Sequence, residues 1–327
     1  MEKRVEISWV NWARAICIVL IYFAHSVEIS GQPIPDWLHC LYSYVYVNVF
    51  FFVSGFLILG KKVQPSNIFF RIMVPAVIFS ILEYFPKVLL RGGELSAVSF
   101  MTETLGGGTY WFLSALAVAQ LIIWALQKTG IKSIWFYVLC SVLLGLAGIM
   151  ISRSGFAVIG YDDSFPWKYK QGMICTLFMS AGALYGKYIG NRSLPTWAFL
   201  SLTCAYVLGC VLFTGHMGDS SVLYCSLQVS GFLWSMVGIL CVVEFCRRLP
   251  ECGLIRYVGR NTILFYMMSG AIPTVLTIMF NRYLTLNAIS LLLIFVLSFA
   301  IAMIATMIIV RYMPFVKDLR TLSKKNK

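Results

Sequence analysis

The chain has 327 residues, of which 60% are hydrophobic and only 12% charged, and its mean hydropathy is +0.83. Soluble proteins carry about a quarter charged residues, so this composition excludes one and leaves no room for a separate soluble domain. A formal charge of +13 would suggest nucleic acid in a soluble chain. Here it reads as the positive bias of loops on the cytoplasmic side of a membrane, and no nucleic-acid partner is expected.

Runs long enough to cross a bilayer, about 20 residues each, fall at 8–28, 38–60, 68–90, 109–127, 133–151, 172–190, 196–214, 222–246, 260–281 and 287–312. In lipid, only helices satisfy their backbone polar groups without closing a barrel. The expected fold is therefore all-α: a polytopic membrane bundle of about ten transmembrane helices, forming a single domain over 1–327 in the cytoplasmic membrane. The loops give the orientation. One side collects Lys3, Arg4, Lys61, Lys62, Lys128, Lys132, Lys187, Arg192, Arg247, Arg248, Arg256, Arg260, Arg311, Lys317, Arg320, Lys324, Lys325 and Lys327. The other side has Arg91, Arg153, Lys168, Lys170 and Arg282. The richer side is cytoplasmic, which places both termini inside.

The first run contains Arg14 and His25, eleven residues apart. At about 100° per residue they return to nearly one helical face, roughly 16 Å apart along the axis. Ionisable residues inside a membrane helix are expensive, and two on one face suggest a lined cavity. Snorkelling of Arg14 and a simple interhelical hydrogen bond from His25 are the plainer alternatives. Because Arg14 interrupts the apolar run and no Ala-x-Ala site is evident, the segment is not expected to be a cleaved signal peptide. Glu28, one turn after His25, is a candidate to orient the imidazole or a solvated interfacial residue.

The second run ends in Phe50-Phe-Phe-Val-Ser54-Gly55-Phe-Leu57. Ser54-Gly55 permits either a close helix contact or a local break that opens a cavity. The third run carries Arg71 and Pro75 near its inner end. An arginine fork there suits phosphate, while Pro75 frees a backbone carbonyl and kinks the helix. Glu83, deeper on the same run, needs a partner such as a histidine or arginine across the bundle. Glu244 lies beside Arg247 and Arg248, where surface pairing is expected.

Outside, Gly106-Gly107-Gly108 allows a tight re-entry ahead of Tyr110-Trp111-Phe112-Leu113, and the loop at 152–171 holds Asp162 and Asp163. The glycines are not a phosphate loop, since no Lys-Ser/Thr follows. His39 and His216 fall at outer helix ends, and no His-x-x-x-His pair exists, so no metal site is expected. The ten cysteines have no CxxC pair and read as small buried hydrophobes.

Taken in order, these pieces resemble the acyltransferase-3 family of integral-membrane acyltransferases over nearly the whole chain. Arg14…His25 resembles the family's first-helix arginine and essential histidine. Phe50–Leu57 resembles its aromatic-rich Ser-Gly-Phe motif, Arg71-Ile-Met-Val-Pro75 its third-helix arginine and proline, and Tyr110–Leu113 its Trp-Phe-Leu helix start. Gly259-Arg-Asn-Thr-Ile-Leu-Phe-Tyr266 resembles a segment near the family's C-terminus. Two positions depart from the pattern: Ile68 stands where many members have a second arginine, and Met267, Met268 and Ser269 where many have a histidine. No extracytoplasmic esterase-like domain is appended, so a stand-alone transferase is expected.

The resemblance implies acyl transfer, commonly acetyl, from acyl-coenzyme A as co-substrate to a carbohydrate or glycolipid acceptor, with no tightly bound cofactor. A hydroxyl is a weak nucleophile and needs a base, for which His25 is the candidate. Arg14, also a candidate catalytic residue, and Arg71 are expected to hold coenzyme A. Trp111, Tyr110, Glu83 and Ser54 are expected on the acceptor path. A transporter with a buried histidine and arginine, or a non-catalytic scaffold, is the competing class. No inverted repeat of the kind transporters often show is visible.

Overall fold

The computed structural model describes residues 7–58, 60–91, 95–156, 165–190, 192–318 and 320. Lys3, Arg4, Glu94, Asp162, Asp163 and the lysines from 324 onward lie outside them. Among the described residues the chain is all-helical, and eight segments are long and apolar enough to cross a membrane: Ser8–Ser30, Asp36–Ile58, Pro65–Leu89, Trp111–Lys128, Ile134–Arg153, Val229–Arg248, Thr262–Tyr283 and Ala288–Tyr312. The runs expected at 172–190 and 196–214 also form helices. Tyr169–Tyr188 is 20 residues long but carries Lys170, Gln171 and Lys187, and Thr196–Leu212 has 17 residues. Neither reaches the length and hydropathy of the other eight.

We number the α-helices in chain order: α1 (Ser8–Ser30), α2 (Asp36–Ser43), α3 (Asn48–Ile58), α4 (Pro65–Ile68), α5 (Val74–Arg91), α6 (Ala97–Glu103), α7 (Trp111–Lys128) and α8 (Ile134–Arg153). The rest are α9 (Tyr169–Tyr188), α10 (Thr196–Leu212), α11 (Val229–Arg248), α12 (Gly253–Arg260), α13 (Thr262–Met268), α14 (Ala271–Tyr283) and α15 (Ala288–Tyr312). The chain divides into two compact units. One comprises 1–50, 191–220 and 228–306, and the other 51–190, 221–227 and 307–327.

In the first unit α1 is the central helix, packed by α11, α12, α13 and α14. It has no acidic residue in its first turn and no basic residue in its last, and is closed by Gly31, whose left-handed backbone lets its N–H reach the Val27 carbonyl at 3.1 Å. Lipid offers no water to satisfy polar groups, so α1's polar side chains bond to backbone. The buried Tyr22 hydroxyl donates to the Phe265 carbonyl at 2.8 Å, and Trp12 Nε1 to the Pro250 carbonyl at 2.8 Å. Tyr22 meets the Phe299 ring edge-on, with centroids 5.5 Å apart.

Glu244 on α11 corrects the sequence expectation. It is fully buried rather than at the surface, accepting from the Leu194 N–H at 3.0 Å and from Arg248 Nη1 at 2.9 Å. Arg248 also donates to the Leu194 carbonyl at 2.6 Å. Pairing with Arg248 was foreseeable from the i,i+4 spacing; burial was not, because it depends on the chain ahead of α10 lying over this turn.

In the second unit α9 packs against α7 and α8. Its contact with α3 is backbone to backbone. A Cβ built on Gly55 would stand 1.8 Å from the Met179 carbonyl oxygen, and one on Gly182 would stand 1.9 Å from that of Phe52. Ser54-Gly55 therefore marks a close helix contact, with α3 continuous through it, and not a break. Phe52 and Phe56 flank it on the Tyr185 ring, and Phe51 meets Phe112 of α7 at 5.0 Å. Ahead of Pro75 the turn Phe69–Met73 widens into a π-helix, the local adjustment that accommodates a residue unable to donate a backbone hydrogen bond. Seven of the ten cysteines are buried, Cys140 and Cys252 are half-buried, and Cys204 is exposed; all are free thiols.

Because both sides of the α3–α9 contact are main chain, no side chain can swing away from an added methyl. Gly182→Ala is expected to destabilise the protein by at least about 1–3 kcal/mol, the usual cost of overpacking. Gly253→Ala, at a position with nothing within 4 Å, is expected to leave stability unchanged. Melting curves of the two variants in detergent, read by size-exclusion recovery, check the contrast.

Candidate active site

The first unit presents Arg14 and His25 on α1. Arg14 is half-buried and makes no hydrogen bond or ion pair with a described residue. A cationic fork held in an apolar helix without a protein partner is a ready contact for an anionic or carbonyl group of a ligand. His25 is half-buried, and its Nδ1 stands 3.7 Å from Glu28 Oε2. That is too long for a hydrogen bond but close enough for a carboxylate to stabilise an imidazolium. Glu28 itself is largely exposed, at 76% of its side chain, so it sits beside the ring without locking it.

The start of α1 is seated on the late segment that the sequence singled out. Gly259 on α12 lies so close to Asn11 that an added Cβ would stand 2.6 Å from the Asn11 carbonyl oxygen. The next residues break the helix: Asn261 Nδ2 donates to the Tyr257 carbonyl at 2.9 Å, and α13 begins at Thr262. Phe265 then receives the Tyr22 hydroxyl on its carbonyl. Two motifs more than two hundred residues apart thus form one packed assembly around the helix that carries Arg14 and His25.

In the second unit Arg71 lies on the π-turn, where its Nε donates to Asp318 Oδ2 at 2.9 Å. Asp318 also accepts from Arg320 Nη2 at 2.8 Å, and Arg320 Nη1 donates to Asn67 Oδ1 at 2.9 Å. The chain after α15 is thereby pinned to the segment around Arg71. Only Nε of Arg71 is engaged; its two η nitrogens have no partner among the described residues. Arg320, more than Arg71, holds the Asp318 carboxyl far below the usual carboxylate range, against the opposing effect of burial.

Tyr110 and Glu83 come together with groups that sequence reasoning did not assemble. Glu83 interacts with the Tyr110 hydroxyl and with Lys87, rather than with a histidine or arginine. Lys87 Nζ donates to Glu103 Oε2 at 2.8 Å, and Thr109 Oγ1 donates to the same oxygen at 3.0 Å. Burial raises the Glu103 carboxyl, but Lys87 and Thr109 outweigh it and hold Glu103 below its ordinary value. Glu83 and Lys87 are four apart on one helix face, a signal the sequence did contain. The link onward to Glu103 was hidden by the intervening loop. Tyr110 is buried at the start of α7, and the half-buried Trp111 meets Phe112 edge-on at 6.2 Å. Ahead of them Gly107 takes a positive φ of 76°, and the Gly106 carbonyl accepts the Trp167 N–H at 2.7 Å, so the glycines do form the tight re-entry. Ser54 is half-buried on α3.

Eight helices long and apolar enough to cross a bilayer among the described residues mark a multi-pass membrane protein, and comparison with known proteins gives its class. The family model for an acyltransferase domain, the acyltransferase-3 type, matches residues 7–311. The protein belongs to this family of membrane acyltransferases. It is also similar to the nodulation protein NolL of Mesorhizobium japonicum, with 22% identity over 299 residues, covering 80% of this chain and 75% of that protein. No solved structure matches the chain. Among the described residues no cluster of His, Cys, Asp or Glu is arranged to hold a metal ion.

Asp318 binds protons less readily folded than unfolded, so its contribution to stability is present above the ordinary carboxylate pKa and is lost as pH falls through its depressed folded value. Asp318→Asn is expected to free the end of the chain at neutral pH, making Arg320 an efficient trypsin site. In the unmutated protein the site is expected to stay protected through mildly acid pH, and limited proteolysis followed by mass spectrometry compares the two.

Proposed function

We propose that this acyltransferase moves an acyl group, expected to be acetyl, from cytoplasmic acyl-coenzyme A to a hydroxyl of a surface glycan or its lipid-linked precursor, with His25 as the general base. The observation that carries the reading is the state of α1. Its half-buried histidine has a carboxylate one turn away, and an arginine without a partner among the described residues stands on nearly the same face. The family supplies the reaction class; donor, acceptor and residue roles are our assignment.

The step is acyl substitution. The neutral imidazole takes the proton of the acceptor hydroxyl as its oxygen attacks the thioester carbonyl. The tetrahedral intermediate then collapses with cleavage of the C–S bond, and the imidazolium returns its proton to the departing thiolate, releasing coenzyme A and restoring neutral His25. Glu28, 3.7 Å from Nδ1, favours the transient imidazolium. Arg14, roughly 16 Å along the helix from His25, is assigned to donor recognition, holding the phosphate or pantetheine part of the donor while its thioester reaches His25. Arg71 is assigned to donor phosphate through its η nitrogens. Trp111 offers an aromatic face to an apolar sugar face. The Glu83–Tyr110 and Lys87–Glu103–Thr109 groups are suited to hydrogen-bond a polyol. Ser54 stands as a further acceptor contact. The base rate cost decides the test of His25: losing a general base typically slows the reaction about 10²–10⁴-fold.

His25→Gln is expected to fold and bind coenzyme A while losing transfer by that factor in single-turnover measurements with purified protein. A rate within about threefold of the unmutated protein, far inside that range, removes His25 as the base. The donor's side of entry depends on ten spans with both termini cytoplasmic. A reporter active only outside the cytoplasm, fused after Lys327, is expected to be silent; activity there overturns the orientation.

A further inference from the structure

The inner loops of the second unit contain a feature that neither the motifs nor the proposed chemistry uses. A cleft of about 610 Å³ opens between the ends of α3 and α7 and the adjoining turns of α8 and α9. Lys61, Lys62 and Lys132 line it. All three are exposed and make no side-chain hydrogen bond or ion pair with a described residue. No Asp or Glu is among the described residues that line it. Its walls are otherwise apolar, from Ile58, Ile123 and Met179, with Gln127, Tyr137 and Ser180 as further polar groups.

The lysines are held around the cleft by the backbone rather than scattered at a membrane edge. Gly60 and Gly130 end α3 and α7 with positive φ of 71° and 76°, turning both chains back at once, and each glycine is followed within two residues by a lysine. Gln127 then ties one turn to the other. Its Oε1 accepts the Val63 N–H at 2.8 Å, and its Nε2 donates to the Lys61 carbonyl at 3.0 Å. One side-chain amide thus fixes the main chain on both sides of Lys62 and faces that pair toward the loop of Lys132. Simple snorkelling lysines need no such brace.

We propose that this cleft binds a ligand bearing phosphate groups on a chain that can lie along apolar walls, with Lys61, Lys62 and Lys132 sharing the phosphate oxygens. Three uncompensated ammonium groups on one concavity favour a polyanion over a single carboxylate. The volume is that of a small-molecule site. The phosphates belong either to the nucleotide end of the acyl donor, which rests on the acyl-coenzyme A reading above, or to the headgroup of an anionic lipid. Arg71 is not among the residues that line the cleft, so this site is additional to the one assigned to it.

The test is amine footprinting of the full chain in uncharged detergent. Lysines are acetylated with a water-soluble ester and quantified by mass spectrometry, without ligand, with adenosine 3′,5′-bisphosphate, and with dioctanoyl phosphatidylglycerol. Lys128 and Lys187, exposed and outside the cleft, are the internal references. Protection of Lys61, Lys62 and Lys132 by the nucleotide alone assigns the site to the donor, and protection by the lipid alone assigns it to a headgroup. The variant Lys61→Gln/Lys62→Gln/Lys132→Gln should raise the dissociation constant of the protecting probe by about 100-fold or more. The single variant Lys132→Gln should raise it by about tenfold, and serves if the triple variant does not fold. Equal labelling of all five lysines with both probes, or unchanged affinity in the variants, overturns the proposal. Because no turnover is measured, a failed His25 assignment leaves this result unaffected.

Discussion

The close approach of α3 and α9 is the constraint on which the second unit rests. Helices in lipid gain little from hydrophobic burial against one another, so their packing depends on surfaces that fit at short range. Gly55 and Gly182 remove the side chains that would hold the two backbones apart, each facing a carbonyl oxygen of the other helix. The ring contacts of Phe52 and Phe56 with Tyr185, and of Phe51 with Phe112, are then made from positions this crossing dictates. The family's aromatic Ser-Gly-Phe motif is, in this chain, first a packing device. Any part played by Ser54 in chemistry is set by the crossing beside it.

A second theme is how the bundle treats polar groups. Most are matched locally: Tyr22 to a carbonyl, Glu244 to the Leu194 amide and Arg248, Lys87 to Glu103, and Arg71 in part to Asp318. Unmatched polar atoms in an apolar interior are costly; Arg14, like the hydroxyls of Ser298 and Thr306, has no hydrogen-bond partner among the described residues, and it alone of these three carries a charge. Its helix is fixed on several sides, by Gly259 against Asn11 and by Tyr22 against Phe265, so α1 is a rigid mount. A cation held on a rigid mount, with no partner among the described residues, is preorganised for whatever anion or carbonyl arrives.

Helix positions were legible because a membrane span is a long average. The runs at 8–28 and 287–312 became Ser8–Ser30 and Ala288–Tyr312 with little change. Breaks inside apolar runs were not legible. The run at 38–60 holds two helices joined at 44–47, where Tyr44-Val45-Tyr46-Val47 is as apolar as its surroundings, and that at 260–281 is interrupted at Ser269-Gly270, a turn signal that the long apolar average hid. The run expected from 222 becomes helical only at Val229, since the Gln228 N–H returns to the Asp219 carbonyl at 2.8 Å. Candidate site residues stand out where a charge interrupts an apolar run, as at Arg14, His25, Arg71 and Glu83. The partner of Arg71, and the carboxylate that holds Lys87 beside Glu83, were not legible, because Asp318 and Glu103 lie in polar stretches where a carboxylate attracts no notice. Glu244 was misjudged for the converse reason: basic neighbours made a buried residue look superficial.

The π-turn at Phe69–Met73 has a bearing on how this helix is read against its relatives. A π-turn holds one residue more than the α-helical turn it replaces, and each helical residue advances the face by about 100°. Everything before the turn is therefore out of phase with everything after it. Asn67 and Glu83, which a regular helical wheel would place by counting, are displaced by roughly a third of a circle. A relative lacking one residue here would form an unbroken helix, and its aligned arginine would look in another direction although the letters match. Correspondence of residues along this segment is a matter of angular register, and a one-residue gap changes which wall of the bundle a given position belongs to.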